Sequence, residues 1–190
     1  LDNAQSLHKD LRGAVAVAVG HTADRKIFNQ LRNLGRRAIG TEEKLRYYYA
    51  LAGARDPALI EEVVNIALTE EISSGSVNRF LISAANACDD PDRVWTLVLG
   101  RREPILRKLA REQRQELLPL IAMASSSPSI AFDLKWKVAE SRASEGASYE
   151  ARKATDEIEF KASFKERVLP AVEGWLKSPV LATLPATAAF

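Results

Sequence analysis

The sequence predicts an all-α protein in which antiparallel helix hairpins stack on one another, and three observations lead to this fold class. The segment from Thr41 to Leu68 contains two amphipathic helices joined by a very short link. Aspartates suited to capping a helix recur at positions 24, 56 and 90, separated by 32 and 34 residues. No segment alternates apolar and polar residues over the length of a strand, so no sheet is expected.

The first helix of the hairpin is predicted from Thr41 to Gly53. Thr41 can cap it, and two glutamates follow in the first turn, where the helix dipole favours negative charge. Gly53 is expected to end the helix in a left-handed conformation. The apolar face has the spacing i, i+3, i+4, i+7 and is formed by Leu45, Tyr48, Tyr49 and Ala52.

The second helix begins only two residues later. Asp56 can cap it, and Pro57 occupies the first helical position, where a missing N–H has no cost. A link this short makes the two helices an antiparallel hairpin. The apolar stripe of the second helix is formed by Ile60, Val63, Val64 and Ala67.

This pattern recurs along the chain. Segments starting at Ala23, Arg55 and Asp89 each contain a capping aspartate, with apolar residues three to four and seven to eight positions further on. Periods in this range are typical of helical-hairpin solenoids, in which a hairpin cannot bury its apolar face alone and neighbours stack. We therefore predict a curved helical stack. An irregular helical bundle with evenly spaced caps is the alternative interpretation.

The remaining boundaries follow from caps and breakers. Ser127 and Pro128 mark a clear helix start. Ser163 and Glu166 match a capping box, so the last helical segment is either two helices or one long helix kinked near Pro170. Its apolar stripe comprises Phe160, Phe164, Val168, Val172 and Trp175. The predicted helices span 8–20, 23–38, 41–53, 56–70, 75–88, 90–100, 103–124, 127–144 and 148–177.

The chain is predicted to form one domain, residues 1–177, followed by an irregular tail, residues 178–190. The tail contains two prolines and has no helical period, so we expect a loosely docked or disordered end. Because the sequence starts at Leu1 rather than Met, we expect a processed product or a piece of a longer protein.

Composition narrows the possible functions. The net charge of +2 does not by itself favour a nucleic-acid or membrane partner. The apolar run from Ala14 to Val19 is too short to span a bilayer. A single cysteine, Cys88, excludes an intramolecular disulfide and a cysteine-based metal cluster, and its alanine-rich surroundings favour a buried structural thiol.

The side chains needed for catalysis are scarce. The two histidines, His8 and His21, lie thirteen residues apart, whereas zinc requires three or four well-placed ligands. We expect His8 to be solvated near a helix start and His21 to lie at a helix C-terminus. There is no H-E-x-x-H motif, glycine-rich phosphate loop or G-x-S-x-G elbow. The sequence therefore predicts no catalytic, cofactor-binding or metal-binding residue.

Paired acidic residues recur along the chain. They fall in first helical turns or on polar faces, so we interpret them as solvated charge. The pairs are Glu42-Glu43, Glu61-Glu62, Glu70-Glu71 and Asp89-Asp90.

The strongest charge feature is the basic stretch from Arg101 to Arg114, with six basic and two acidic residues. On one helix over 103–124, Arg107, Arg111 and Arg114 would share a face. This face is either simply solvated or an anion site on the concave side of the stack that attracts a carboxylate. RNA binding is a weaker alternative, because no aromatic residues interleave with the charges. Tyr47, on the flank of its helix, can line the same groove, so the candidate peptide or anion contacts are Arg101, Arg107, Arg111, Arg114 and Tyr47.

Several short stretches follow one another in a recognisable order along the chain. They are Leu11-Arg12, Asp24 with Phe28, Thr41 to Ala52, Asp56 to Ile60, Trp95, and Trp175-Leu176. This order resembles the C-terminal helical domain of the M1 family of zinc aminopeptidases, which includes puromycin-sensitive and endoplasmic-reticulum aminopeptidases. The resemblance covers about residues 7 to 177. The chain departs from the family at "GRREP", where an asparagine and a tryptophan are often found, and it is short and begins inside this domain.

The resemblance implies a HEAT-like or armadillo-like superhelix that is the non-catalytic part of a hydrolase. Zinc and the catalytic residues are then expected in an upstream domain of the same protein, and none in this chain. This domain would cap the active site, gate access and contact peptide substrates, without nucleic-acid or membrane partners. The alternative is a free-standing helical-repeat scaffold that captures a protein partner. A nucleic-acid-binding repeat protein is a third hypothesis, which predicts salt-dependent RNA affinity.

Overall fold

The computed structural model describes residues 8–140 and 145–177, and these residues form helices and turns without any strand. The all-α prediction is therefore confirmed. The predicted irregular tail, 178–190, lies outside the described residues. A short 3₁₀ turn, Lys9–Leu11, precedes the first α-helix. The helices are α1 Arg12–His21, α2 Arg25–Arg37, α3 Thr41–Ala52, α4 Pro57–Ala67, α5 Ser74–Ala87, α6 Pro91–Gly100, α7 Arg102–Lys108, α8 Arg111–Ala122, α9 Pro128–Glu140 and α10 Glu145–Leu176.

The helices are arranged as stacked hairpins. One layer runs through α1, α3, α5, α8 and α10, each of which packs against the next. In the second layer α4 packs against α6, while side-chain contacts connect α2 to α4 and α6 to α9. The hairpin partners α9 and α10 form one of the most extensive pairs. This arrangement is an all-α helical-repeat fold.

The three predicted capping aspartates each start a helix of the second layer. Asp24, Asp56 and Asp90 precede α2, α4 and α6. Each carboxylate accepts a hydrogen bond from a backbone N–H two or three residues later, at 2.8, 2.8 and 3.1 Å respectively. The 32- and 34-residue spacings therefore mark equivalent points of successive hairpins.

Two details of the predicted hairpin are wrong. Thr41 does not cap α3, because Gly40 occupies the cap position and Thr41 is already helical. Gly53 does end α3, but with φ −80°, so no left-handed conformation explains the glycine. A side chain at position 53 would instead approach the Ala50 carbonyl oxygen at 3.3 Å and the His21 ring at 3.6 Å.

The single helix predicted over 103–124 is also wrong. α7 ends at Lys108, and α8 starts at Arg111. Leu109 adopts an extended backbone between them and is buried in the core. The chain turns here because this position inserts a leucine into the core instead of continuing the helix.

The structure decides between the two alternatives for the last helical segment, two helices or one long helix. α10 is one helix that runs from Glu145 to Leu176 with Pro170 inside it. Its N-terminal half contributes buried residues up to Ile158, whereas the stripe predicted from Phe160 to Trp175 lies largely on the surface.

Helix α3 is the most tightly enclosed element at the N-terminal end of the stack. Tyr48 is fully buried there, with its ring edge-on to Phe80. Gly20 of α1 lies directly against the Ala50 carbonyl, and Gly35 of α2 lies against the Tyr48 ring. Glycine at these two positions lets α1 and α2 approach α3 closely.

Candidate functional site

The basic stretch predicted as a single charged face is divided by the structure. Arg107 lies on α7, whereas Arg111 and Arg114 lie on α8, beyond the turn at Leu109. The three arginines therefore do not share a helical face as predicted. The stretch separates into residues that hold the stack together and residues that remain available for a partner.

Arg101 belongs to the first group. Its Nε donates to Asn65 Oδ1 at 2.8 Å, and a terminal nitrogen donates to Glu61 Oε1 at 2.6 Å. Both acceptors lie on α4, so Arg101 connects the end of α6 to the preceding helix of the same layer. Its charge is already paired within the chain.

Lys108 and Arg114 also make intramolecular contacts. Lys108 Nζ donates to the carbonyls of Thr69 and Ile72, the latter at 3.2 Å, in the segment that follows α4. Unpaired carbonyls at a helix C-terminus are stabilised by such a cation. Arg114 Nε donates to the Leu109 carbonyl at 2.9 Å and so closes the turn between α7 and α8.

Arg102, Arg107 and Arg111 form the available group, and two of them, Arg107 and Arg111, are among the predicted contact residues. All three are exposed, and no hydrogen bond or ion pair engages them among the described residues. Tyr47 is half-buried against the core on α3, and α5 lies between α3 and α8 in the layer. Of the five predicted contact residues, the two arginines beside the α7–α8 turn are thus free to meet an anion.

The pair Glu61-Glu62, predicted as solvated charge, instead faces in two directions along the stack. Glu62 receives Arg25 and Arg32 from α2, the latter at 2.7 Å. Glu61 receives Arg101, at the end of α6, on the other side. Because adjacent helical residues point about 100° apart, one pair of acids on α4 connects the preceding and following repeats.

A cluster of charged side chains is centred on Glu71, in the turn between α4 and α5. Arg32 donates to its two carboxylate oxygens at 3.0 and 2.6 Å, and Arg36 does so at 3.0 and 2.9 Å. The Tyr48 hydroxyl donates a fifth hydrogen bond at 2.8 Å. We call Glu71, Arg32, Arg36 and Tyr48 the Glu71 cluster. It joins α2, α3 and the α4–α5 turn.

The electrostatics of the cluster follow from these contacts. Burial by itself would raise the pKa of the Glu71 carboxyl, but hydrogen bonds from Arg32, Arg36 and Tyr48 lower it well below its usual range. Burial, and then the bond to Glu71, raise the pKa of the Tyr48 hydroxyl. The hydrogen bond to Glu71 raises the pKa of both arginines. The cluster is therefore charged and fully paired near neutral pH, which makes it a structural centre and not an acid–base pair.

Sequence reasoning missed this cluster. Tyr48 was predicted on the apolar face of its helix and is indeed buried, but the sequence did not indicate that its hydroxyl would donate to Glu71. The sequence did contain one indication of the cluster. A tyrosine lies on an apolar helical face, the preceding helix is rich in arginine, and a buried tyrosine hydroxyl requires a polar partner.

Two further polar contacts link later repeats. Trp95 Nε1 on α6 donates to Asp133 Oδ2 on α9 at 3.1 Å. The Ser125 hydroxyl, in the turn before α9, donates to Asp92 Oδ1 on α6 at 2.5 Å. The tryptophan singled out in the sequence therefore has a framework role.

The histidines and the cysteine occupy the expected positions. His8 is exposed near the first turn, 3.4 Å from Asp10, and His21 ends α1. The Nδ1 atom of His21 is buried and makes no hydrogen bond. Cys88 is buried, and burial raises the pKa of its thiol to about 11, so the thiol stays protonated near neutral pH.

Other features of the described residues can be stated briefly. They contain no group of three or more His, Cys, Asp or Glu side chains arranged to hold a metal ion. None of their helices is both long and apolar enough to cross a membrane. An open depression of about 480 Å³ lies along α10 and is lined by Tyr149, Arg152, Lys153, Asp156 and Glu157.

Neither a scan against protein-family models nor a search of curated proteins returned a match to this chain. The fold and the contacts above are therefore the basis for assigning a function.

Proposed function

We propose that this chain is the non-catalytic C-terminal helical domain of a zinc aminopeptidase, in which it caps the active site of an upstream catalytic domain and contacts peptide substrates.

The observation that carries the proposal is that most of these matching residues form the framework. Asp24 and Asp56 cap successive helices of one layer. Phe28 is fully buried, and Trp95 bridges α6 to α9. The matching residues thus hold successive helices of the stack together. Such a distributed set supports a resemblance over the whole domain more strongly than one isolated motif would.

The free arginines support the substrate-contact part of the proposal. Arg107 and Arg111 are exposed on either side of one turn, and guanidinium groups form strong charge-assisted pairs with carboxylates. A peptide whose N-terminus lies in an upstream active site presents its C-terminal carboxylate at a distance. These two residues are suited to receive that group.

The first experiment reads and expresses the coding sequence upstream of Leu1. An H-E-x-x-H motif there, together with chelator-sensitive release of N-terminal amino acids by the longer protein, is the expected result. An upstream sequence without that motif would eliminate the aminopeptidase assignment.

A second experiment tests the arginines within the longer enzyme. Arg107→Glu combined with Arg111→Glu should raise KM several-fold for peptides of about ten residues, because a repulsive charge replaces an attractive one. It should leave an aminoacyl anilide unaffected, since that substrate has no distal carboxylate. The control is Lys26→Glu with Arg37→Glu, two exposed cations on α2. Equal effects on both substrates would contradict a distal contact.

A free-standing helical-repeat scaffold is the second candidate, and the outer face of α1 favours it. Leu11 in the 3₁₀ turn is exposed at the end of the stack, as are Val15 and Val17 on opposite flanks of α1, although terminal repeats normally carry a polar outer face. A scaffold predicts that the isolated chain captures a protein partner and that charged substitutions of Val15 and Val17 abolish capture. The upstream reading frame distinguishes the two candidates.

A further inference from the structure

The last hairpin of the stack leaves aromatic side chains uncovered on its outer side. Phe132 and Trp136 lie one turn apart on α9, on the side of the helix opposite the buried Leu134. Tyr149 and Phe160 lie on α10, opposite the stripe of buried residues that packs this helix against the stack. These four aromatic side chains are 59–71% exposed.

The two helices run side by side, so the four aromatic residues belong to one surface. Lys135 Nζ of α9 donates to Glu159 Oε1 of α10 at 2.9 Å, which places Phe160 level with the turn between Phe132 and Trp136. The buried sides of both helices face the rest of the stack, and the aromatic residues therefore face outward at its end. The surface that we call the end face consists of Phe132, Trp136, Tyr149, Arg152, Lys153, Asp156, Glu157 and Phe160.

Charged residues separate the two aromatic residues of α10 in a regular order. Arg152 and Lys153 occupy one turn, Asp156 and Glu157 occupy the next, and all four line the open depression along α10. Among the described residues, no hydrogen bond or ion pair engages Arg152, Lys153 or Asp156. Glu157 contacts Lys161 at 3.3 Å. Along this face of α10 the order is therefore aromatic, basic, acidic, aromatic.

We propose that the end face binds the end face of a second copy of this chain, with the two α10 helices antiparallel. The order aromatic, basic, acidic, aromatic is complementary to itself when it is read in the opposite direction. A two-fold axis level with the midpoint between residues 154 and 155 places Tyr149 of one copy opposite Phe160 of the other. Each residue number and that of its counterpart then add up to about 309, which fixes the register of the contact.

The same register pairs the charges. Arg152 of one copy meets Asp156 of the other on one flank of the helix pair, and Lys153 meets Glu157 on the other flank. Because every contact of a two-fold interface occurs twice, this arrangement contains two sets of these opposite-charge pairs and no pair of like charges. Charge complementarity of this kind selects the partner and its orientation.

The apolar area of the end face also suits a second folded chain. A large aromatic side chain buries about 150–250 Å², so four that are about two-thirds exposed offer about 500 Å². A standard interface buries about 800 Å² on each side, of which about 60% is apolar. Trp136 lies about 5 Å along the helix axis from the two-fold axis. It is therefore near the centre of the contact, where tryptophan contributes most to binding.

The balanced charge of the end face disfavours a membrane as its partner. Two acidic residues accompany two basic ones between the aromatic residues, whereas helices that lie on membranes carry a strongly basic polar face. The inference does not rest on the proposed function, because it concerns contacts between two copies of the described helices.

The test measures the mass of the full chain by sedimentation equilibrium over a range of concentrations, at low salt because ion pairs are screened by salt. We expect twice the mass of the chain. Arg152→Asp and Asp156→Arg, made separately, each bring like charges together twice and should weaken the dimer about tenfold or more. The double variant restores opposite charges and should restore association. Arg37→Asp, at an exposed position of α2, is the matched control and should change nothing.

A cross-linking experiment tests the register. In a mixture of Tyr149→Cys and Phe160→Cys chains, oxidation should join one variant to the other, because these positions face each other. Neither variant should cross-link with itself, since like positions lie about 16 Å apart along the helix. Circular dichroism verifies that every variant is folded.

Three results would overturn the proposal. A single-chain mass at every concentration would assign the end face to a different molecule. Association that neither single charge variant weakens would place the contact between copies on another surface. Single variants that lose association without recovery in the double variant would show that the pairing between Arg152 and Asp156 is wrong.

Discussion

At the residue scale, two neighbouring glutamates show how differently similar side chains can be used. Glu71 accepts five hydrogen bonds inside the Glu71 cluster, whereas the side chain of Glu70 is fully exposed. In the sequence the two glutamates are adjacent, shortly after α4, and nothing distinguishes one from the other. Which one turns inward depends on the path of the α4–α5 turn, and no local pattern specifies that path.

The substitution Glu71→Gln should destabilise the chain by about 2 kcal/mol, because it removes the carboxylate that pairs with Arg36 and one of the two that pair with the largely buried Arg32, which keeps only Glu62. Glu70→Gln is the matched control and should leave the unfolding midpoint unchanged. Urea denaturation followed by circular dichroism measures both. Equal midpoints for the two variants would show that the cluster contributes nothing to stability.

The same substitution predicts a pH dependence. The folded-state pKa of Glu71 is lowered from an ordinary value of 4.5, so its contribution is complete above that pH and declines as the pH falls towards the folded-state pKa. The difference in free energy of unfolding between wild type and Glu71→Gln should therefore be constant from pH 7 to about 5 and narrow below about 4.5. If this difference in free energy of unfolding increased on acidification, the hydrogen bonds assigned to the ionised Glu71 carboxylate would be contradicted.

Two glycines in α1 provide a second residue-scale prediction. A methyl group at Gly20 would lie 1.9 Å from the Ala50 carbonyl oxygen, so Gly20→Ala must push α1 away from α3 and should cost more than about 2 kcal/mol. Gly13 in the same helix has open space around it. Gly13→Ala should instead be neutral or stabilise by up to about 1 kcal/mol, since alanine is the better helix former. Thermal unfolding of the two variants checks the contrast.

At the element scale, the sequence specified most helices because caps and apolar periods are local. Asp56 with Pro57 and Ser127 with Pro128 marked helix starts that the structure reproduces at residues 57 and 128. The break between α7 and α8 was missed because neither glycine nor proline marks it. It arises from tertiary packing, which draws Leu109 into the core.

The caps themselves can be tested with an adjacent control. Asp90 accepts the Arg93 N–H at 3.1 Å, whereas Asp89 makes only a 3.5 Å contact with Arg55 at the surface. Asp90→Ala should cost about 1 kcal/mol, and Asp89→Ala should cost much less. Chemical denaturation measures the free energy of unfolding of both variants. Equal losses of this free energy would mean that helix α6 does not depend on its cap.

At the scale of the whole molecule, the candidate site was only partly predictable. The sequence identified Arg101 to Arg114 as unusual, but it could not separate Arg101, which pairs with α4, from Arg107, which remains free. That distinction depends on partners about 40 positions away in the chain. The ion pairs of Glu61 and Glu62 have the same origin, since each partner belongs to a neighbouring repeat.

The layered contacts also predict how far a destabilising substitution in one helix affects the other helices. In a helical-repeat fold each hairpin contacts only its neighbours, so a local defect should lower stability locally before it affects distant repeats. Gly20→Ala perturbs the α1–α3 interface, at the opposite end of the stack from α9 and α10.

Native-state hydrogen exchange of the Gly20→Ala chain measures this spread. Amide exchange should accelerate in α1, α2 and α3, because these helices share the perturbed interface. It should remain at wild-type rates in α8 and α9, whose neighbours are unchanged. The Gly13→Ala chain controls for the added methyl group and should match wild type throughout. Uniform acceleration across all helices would mean that the stack unfolds as one cooperative unit, and its stability would then be shared by all the repeats.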